Sequence, residues 1–539
     1  MTPIEPATSA APRPAEPRLT SGERVRIFAV VGFIAFLTAF HAPLDLPIKD
    51  LFHEGEYLAP RLLIVGAMKP LLIHGQINYL PAQLAASMCG PDHIVICTRA
   101  TNSILAVAAT LLLFACAFAT ARSREALLFV GLAVSGFLLT IDGRLFSTVG
   151  MHQGSPSVRD VALLAILWCL MSVPGRRRAV ADLLGGAAGL IAGLSCFWAY
   201  NRGLIGVAII PLYCVASLIA GRGARHALFP LLGLGVGLVG AVALEPDMAR
   251  QHVANIVYWA RHGDIWRYDA SLDRITTNIP FYLILLSLIA VALRRAWRLW
   301  RAKEGREELP ILLVLIATVA MVAQQSSNRD DTTHLMWVVP WALLLILKLV
   351  ESVYTWPESG DGWARIASRH SLLGGSLAGL LLLDFFGTVS YTKPMLASSF
   401  RNLGLFVVGL PSDSDLMPPS LAQIVHALRG SGQSCTYVFN NGGAIYHLAG
   451  QRPCSSIIYP VYASPDSQAR VIADLAKARP LLVVGLSEEN FSHIDDRTLA
   501  MRTPLIAAWM ERHYPIVARF DGTELRGIVP PVARVAAAR

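Results

Sequence analysis

Residues 27–40 read Ile27-Phe-Ala-Val-Val-Gly-Phe-Ile-Ala-Phe-Leu-Thr-Ala-Phe40, and soon afterwards the chain reads Asp50-Leu-Phe-His-Glu-Gly-Glu-Tyr-Leu58. The first stretch carries no charge and is preceded by Arg24 and Arg26; the second is a cluster of carboxylates. An apolar run with arginines before it and acids after it reads as a segment that enters a bilayer from a basic side. No small-residue cleavage site follows, and Pro43 leads into a charged loop. The run is therefore an uncleaved first span rather than a signal-peptide core.

Composition extends that reading to the rest of the chain. Of 539 residues, 54% are hydrophobic and 15% charged, against about 25% charged in soluble domains, which excludes an ordinary soluble globular protein. Apolar runs near the roughly 17 to 25 residues needed to cross the hydrocarbon core recur at Ile27–Phe40, Ser103–Thr120, Leu127–Ile141, Val161–Val173, Leu183–Tyr200 and Leu204–Ala220. They continue at Leu228–Leu244, Pro280–Leu293, Ile311–Ala323, Trp337–Val350 and Leu372–Ser390. The fold class predicted is an α-helical polytopic membrane protein of about eleven spans.

Every second loop is basic: Arg122 and Arg124, Arg176 to Arg178, Arg222 and Arg225, and Arg294 to Arg306 fall on the side of Arg18, Arg24 and Arg26. The positive-inside rule then places the N-terminus in the cytoplasm of an inner membrane and, with an odd span count, the C-terminus outside. The formal charge of +9 is used by topology, and no nucleic-acid partner is read from it.

The predicted organisation is a disordered tail over 1–25, a transmembrane domain over 26–392 with outer loops 42–102 and 246–278, and a small extracytoplasmic domain over 393–539. In the last, helical pattern at Leu421–Leu428, Ser467–Lys477 and Pro504–Arg512 alternates with strand pattern at Thr436–Phe439, Leu481–Val484 and Ile516–Phe520. Asp521-Gly522 then forms a hairpin turn into Thr523–Val529. This is the pattern of an α/β domain. Cys89 and Cys97 share the first outer loop, and Cys435 and Cys454 share the last domain, so an oxidising compartment permits two disulfides. Leu58–Ile73, broken by Arg61, Lys69 and Pro70, reads as an interfacial helix.

The densest polar groups all fall on the outer side: Asp50, His53, Glu54 and Glu56; Arg159 and Asp160; Asn201 and Arg202; Arg329 and His334. If 50–57 is helical, Asp50 and Glu54 share a face and His53 pairs with Glu56. Grouped carboxylates can serve as a general base, and Asp50, His53 and Glu54 leave a divalent cation, Mg or Mn, open. The plain reading of Asp50 is a helix cap.

The stretch Asp50-Leu-Phe-His-Glu-Gly-Glu-Tyr-Leu, followed by Gly66, Pro70 and His74-Gly75, resembles the first outer loop of the GT-C superfamily of membrane glycosyltransferases. The layout is similar too. The resemblance implies transfer of a hexose or pentose from a polyprenyl-phosphate-linked sugar donor to a glycan or lipid acceptor, usually with inversion. It implies Glu54 as the catalytic acid, with Asp50 and Glu56 as competitors. The lipid-phosphate leaving group calls for cationic donors, of which Arg329 is first, followed by Arg202, Arg159 and His334. The alternative reading is a secondary transporter or lipid-linked-sugar flippase, which predicts ionisable groups near the bilayer midplane. Only Asp384 is so placed in the sequence.

Overall fold

The structure is a computed structural model, and it describes residues 21–40, 44–64, 79–88, 90–120, 157–266, 272–302, 305–327, 335, 337–354, 397–485, 493–494 and 497–528. The predicted spans Leu127–Ile141 and Leu372–Ser390 lie outside these residues, as do Cys89, Arg329, His334 and Asp384.

The first part of the chain is helical. It comprises α1 (Ser21–Phe40), α2 (Leu51–Ile64), α3 (Tyr79–Met88), α4 (Ile94–Thr120), α5 (Val161–Ser172) and α6 (Arg178–Trp198). It continues with α7 (Tyr200–Ile219), α8 (Arg225–Leu244), α9 (Pro246–His262), α10 (Leu272–Arg301), α11 (Leu309–Ser327) and α12 (Val339–Tyr354). Among the described residues six helices, rather than the eleven spans expected, are long and apolar enough to cross a membrane: α4, α6, α7, α8, the Asn278–Arg301 part of α10, and α11. The predicted spans within α5 and α12 are helical but shorter, and α1 carries Glu23, Arg24 and Arg26 in its first turns.

Aliphatic residues of α8 and α10, among them Leu231, Val236, Val239, Leu283 and Ile284, are exposed. A water-soluble protein would not display such a belt, whereas lipid-facing helices require it. Helices α6 and α8 approach through glycines: a Cβ on Gly193 would lie 2.6 Å from the Gly237 backbone. Small residues at such a crossing let two backbones meet where no hydrophobic force drives helices together. The basic loops after α7 and before α11 meet at one end of the bundle, where the Arg222 guanidinium donates to the Glu307 carbonyl and Lys348 pairs with Glu308 at 3.4 Å.

A helix over 397–408, α13, ties the end of α1 to the C-terminal domain: the Asn402 amide donates to the Phe40 carbonyl and its Oδ1 accepts from Leu44 N. The domain has α14 (Pro419–Gly430), β1 (Cys435–Val438), α15 (Ala444–Ala449), β2 (Arg452–Pro453), α16 (Pro465–Ala478) and β3 (Leu482–Gly485). It ends in a short ribbon of β4 (His493–Ile494) and β5 (Arg497–Thr498), then α17 (Leu499–Arg502), α18 (Pro504–His513), β6 (Ile516–Phe520) and β7 (Thr523–Arg526). The main sheet runs β2-β1-β3-β7-β6, parallel across β2, β1 and β3 and antiparallel across β3, β7 and β6. Asp521 and Gly522 both take positive φ, +32° and +74°, as the two-residue turn between β6 and β7 demands.

The core of this domain does not end at its own chain boundary. Leu51, Phe52 and Leu58 of α2 and Ile94 to Cys97 of α4 pack in one cluster with Tyr437, Ile445, Tyr459 and Tyr462. Helix α2 lies directly on the turn before α15. A Cβ on Gly55 would stand 2.6 Å from Gly443 Cα, so glycine is required for that contact.

Candidate active site

The sequence Asp50-Leu-Phe-His-Glu-Gly-Glu is helical from Leu51 because Asp50 caps it: Asp50 Oδ1 accepts from His53 N at 2.9 Å. The plain reading of Asp50 is therefore realised. Its Oδ2 meets His53 Nδ1 at 2.6 Å, so His53 turns back to Asp50 rather than forward to the predicted partner, Glu56. Burial pushes the Asp50 carboxyl up, but the interactions with His53 outweigh it and leave the group below the ordinary carboxylate range.

Glu54 is buried, 1% exposed. Its Oε1 accepts from Arg99 Nη2 at 2.7 Å, and Arg99 Nη1 donates to the carbonyls of Leu44 and Leu46 at 2.7 and 2.6 Å. Among the described residues Glu54 Oε2 has no hydrogen-bond partner. Burial pushes this carboxyl up to about 7 against the pull of Arg99, with Asp50 and Asp413 adding to the rise. A carboxyl with one oxygen anchored, one free and a pKa near the working pH suits a general base. Glu54, expected in an outer loop, is instead buried on α2, which the C-terminal domain covers.

The other charges form a ladder along the same end of the bundle. Glu56 Oε2 accepts from Arg159 Nη2 at 2.9 Å. Asp160 closes a capping box with Ser157 before α5 and accepts from Arg202 Nε at 2.8 Å. Arg202 Nη1 donates to Gln325 Oε1 at 2.7 Å, and Gln325 Nε2 donates to the Asn201 carbonyl at 3.0 Å. The ends of α2, α5, α7 and α11 are thereby joined. Arg159 also lies 5.6 Å from the Trp337 ring centroid, a cation–π distance.

Arg159 and Arg202 thus each hold a buried carboxylate, which is the salt-bridge alternative to a phosphate contact. Arg329 and His334 lie outside the described residues. Among the described residues no three His, Cys, Asp or Glu side chains are grouped so as to hold a metal ion; Glu54 faces Arg99, which leaves Asp50 and His53 as a pair. Cys435 and Cys454 are disulfide-bonded, with Cα atoms 5.1 Å apart, and the bridge closes the segment that carries Gly443. Cys97 is also disulfide-bonded.

Two groups were missed in the sequence. Arg99 could have been singled out as a cation just inside a long apolar run, a position that demands a partner. Asp413 left no signal. It accepts from Val95 N at the start of α4 at 2.9 Å and meets His447 at 3.2 Å, linking bundle and domain beside Glu54.

No family profile matches this chain, and no curated protein matches it. Among solved structures it is similar to ArnT from Cupriavidus metallidurans bound to undecaprenyl phosphate, at 14% identity over 95% of this chain and 99% of that one, with a TM-score of 0.49. It is also similar to the Archaeoglobus fulgidus oligosaccharyltransferase in complex with Zn and sulfate, at 10% identity over 90% of this chain and 71% of that one, with a TM-score of 0.44. Both likenesses are of overall fold, and they assign no residue a role.

Proposed function

We propose that this chain is a membrane glycosyltransferase that moves a sugar from a polyprenyl-phosphate donor to a hydroxyl of an extracytoplasmic glycan or lipid, with inversion. Glu54 Oε2 takes the proton of the acceptor hydroxyl. The hydroxyl oxygen attacks the anomeric carbon, the bond from that carbon to the phosphate oxygen breaks, and the lipid phosphate leaves with the electron pair. Arg329 is assigned the departing charge first, followed by Arg202, Arg159 and His334. The observation that carries the reading is the state of Glu54: buried, anchored through Oε1 and free at Oε2. Its place at the end of the bundle opposite the basic loops supports an outward-facing site, with the N-terminus in the cytoplasm.

The test supplies purified protein in lipid with polyprenyl-phosphate sugars and follows release of lipid phosphate, with and without chelator. Glu54→Gln should lose about 10²- to 10⁴-fold in rate, the usual cost of a general base. Full turnover in Glu54→Gln would move the base to Asp50 or Glu56. Chelator sensitivity would bring in a divalent cation. Transbilayer movement of the lipid-linked sugar with no phosphate release would favour the flippase.

A further inference from the structure

Helix α9 reads Pro246-Asp-Met-Ala-Arg-Gln-His-Val-Ala-Asn-Ile-Val-Tyr-Trp-Ala-Arg-His262 and is amphipathic with an unusual inner face. Gln251, His252 and Asn255 are 4%, 5% and 1% exposed. One turn of helix brings these positions onto neighbouring faces. Among the described residues, none of Gln251 Nε2, Gln251 Oε1, His252 Nδ1, His252 Nε2 and Asn255 Oδ1 has a hydrogen-bond partner. Buried polar groups in native proteins are paired in the great majority, so five unpaired atoms within five residues mark a surface that something else completes.

The position of that surface is set by its neighbours. The His252 ring stacks on Tyr200, with centroids 6.0 Å apart, and meets the edge of Phe197 at 5.0 Å. Tyr200 begins α7, two residues before the Arg202 that holds Asp160. On the next turns of α9, Tyr258 donates to the Tyr462 carbonyl at 2.5 Å and Trp259 meets the Tyr462 ring at 5.6 Å. Tyr462 in turn lies 6.2 Å from Phe52, on the helix that carries Glu54. The unpaired face is therefore bracketed by residues that connect to the ion-pair ladder on one side and to α2 on the other.

We propose that Gln251, His252 and Asn255 hold the ring hydroxyls of a neutral sugar, the sugar of the donor or of the acceptor, in the reaction assigned above. The inference rests on that functional reading. Two amides and an imidazole present donors and acceptors together, as hydroxyls require. They provide no charge for a phosphate: burial holds His252 down to about 4, so its ring is neutral at physiological pH.

The test compares wild type with Gln251→Met and Asn255→Leu in lipid nanodiscs. Probes are undecaprenyl phosphate, its glucosyl and mannosyl derivatives, and the free methyl glycosides. Ligand-free variants should melt at or above the wild-type temperature, because apolar groups replace unpaired polar ones. Affinity for at least one sugar-bearing probe should fall about tenfold or more, while that for undecaprenyl phosphate stays within about twofold. Loss confined to the lipid-linked sugars identifies the donor, and loss on a methyl glycoside identifies the acceptor. The proposal is overturned by a lower melting temperature in both variants, by equal loss on bare undecaprenyl phosphate, or by unchanged affinity for every sugar. Failure of wild type to bind undecaprenyl phosphate would instead overturn the transferase reading, and the methyl glycosides and melting temperatures would still decide the role of α9.

Discussion

Glu54→Gln should change how stability depends on pH before any substrate is added. Burial raises the Glu54 carboxyl from 4.5 to about 7, a rise worth ~3 kcal/mol of preference for the protonated form in the folded state. Between those values the folded protein keeps a proton that the unfolded chain has released. By linkage, the contribution of Glu54 is fully present below pH 4.5 and is lost as pH rises to 7. Glutamine cannot titrate. Whatever glutamine costs at its contact with Arg99 is constant across the window, because the guanidinium does not titrate there either. The difference in melting temperature between wild type and Glu54→Gln should thus shrink or change sign between pH 4.5 and 7.5, by an amount on the order of several degrees for ~3 kcal/mol. Thermal unfolding of both proteins in nanodiscs at one-unit steps of pH measures it. Parallel curves would refute the raised carboxyl and, with it, the reason for choosing Glu54 as base. In turnover, wild type should gain rate up to a limb near pH 7, and the variant should lack that limb.

Gly55→Ala places a methyl group against the Gly443 backbone, which cannot yield; about 1–3 kcal/mol of destabilisation and faster proteolysis of the C-terminal domain are expected. Cys435 and Cys454 should resist thiol labelling until the protein is reduced. Replacing both by Ser should cost about 3 kcal/mol, as for closure of a loop of this size; free labelling in unreduced protein would remove the bridge. A reporter fused after Arg225 should report cytoplasm and one after Pro453 the outside; a cytoplasmic result at the second would overturn the orientation.

How much was legible follows from what each residue depends on. Hydropathy and alternating basic loops found the helices α4, α6, α7, α8, α10 and α11, because lipid exposure imposes apolar composition locally. Their starts are predicted too late. Reading stopped at charge, whereas α4 continues back through Arg99 to Ile94 because Glu54 and two carbonyls satisfy that guanidinium. Such a partner comes from another part of the chain and leaves no local pattern. Helix α9 was read as an aromatic, charged loop for a related reason: it has no apolar run, and tertiary packing rather than hydropathy holds it. In the C-terminal domain, Asp521-Gly522 and the strands between helices were plain because turn chemistry and the composition of strands buried along their whole length, as β1, β3 and β7 are, act within a few residues. The short β2 and α15 were not, although α15 follows the turn that covers Gly55.

The four carboxylates Asp50, Glu54, Glu56 and Asp160 are not equivalent, and the difference lies in which oxygens are already used. Asp160 spends Oδ1 on Arg202 and Oδ2 on Ser157 N, which fits a group that fixes the start of α5. Asp50 uses both oxygens on His53, one for the cap and one for the ring. Glu56 Oε2 is bound to Arg159, whose Nε is itself unpartnered. Glu54 keeps Oε2 free while Arg99 fixes its orientation through Oε1. A buried ion pair contributes little net stability, since desolvation offsets much of the attraction, yet removing one member costs about 3–5 kcal/mol. That asymmetry separates structure from chemistry at Glu54. Arg99→Met leaves an acid that can take up a proton and so limit the damage below pH 7, whereas Glu54→Leu leaves a guanidinium that cannot release one. Glu54→Leu should therefore be the less stable of the two at pH 6, and the gap should narrow as pH rises and the orphaned carboxyl of Arg99→Met is forced to ionise. Thermal unfolding at pH 6 and 8 reads the difference, and equal destabilisation of both variants at pH 6 would mean that Glu54 is already charged there.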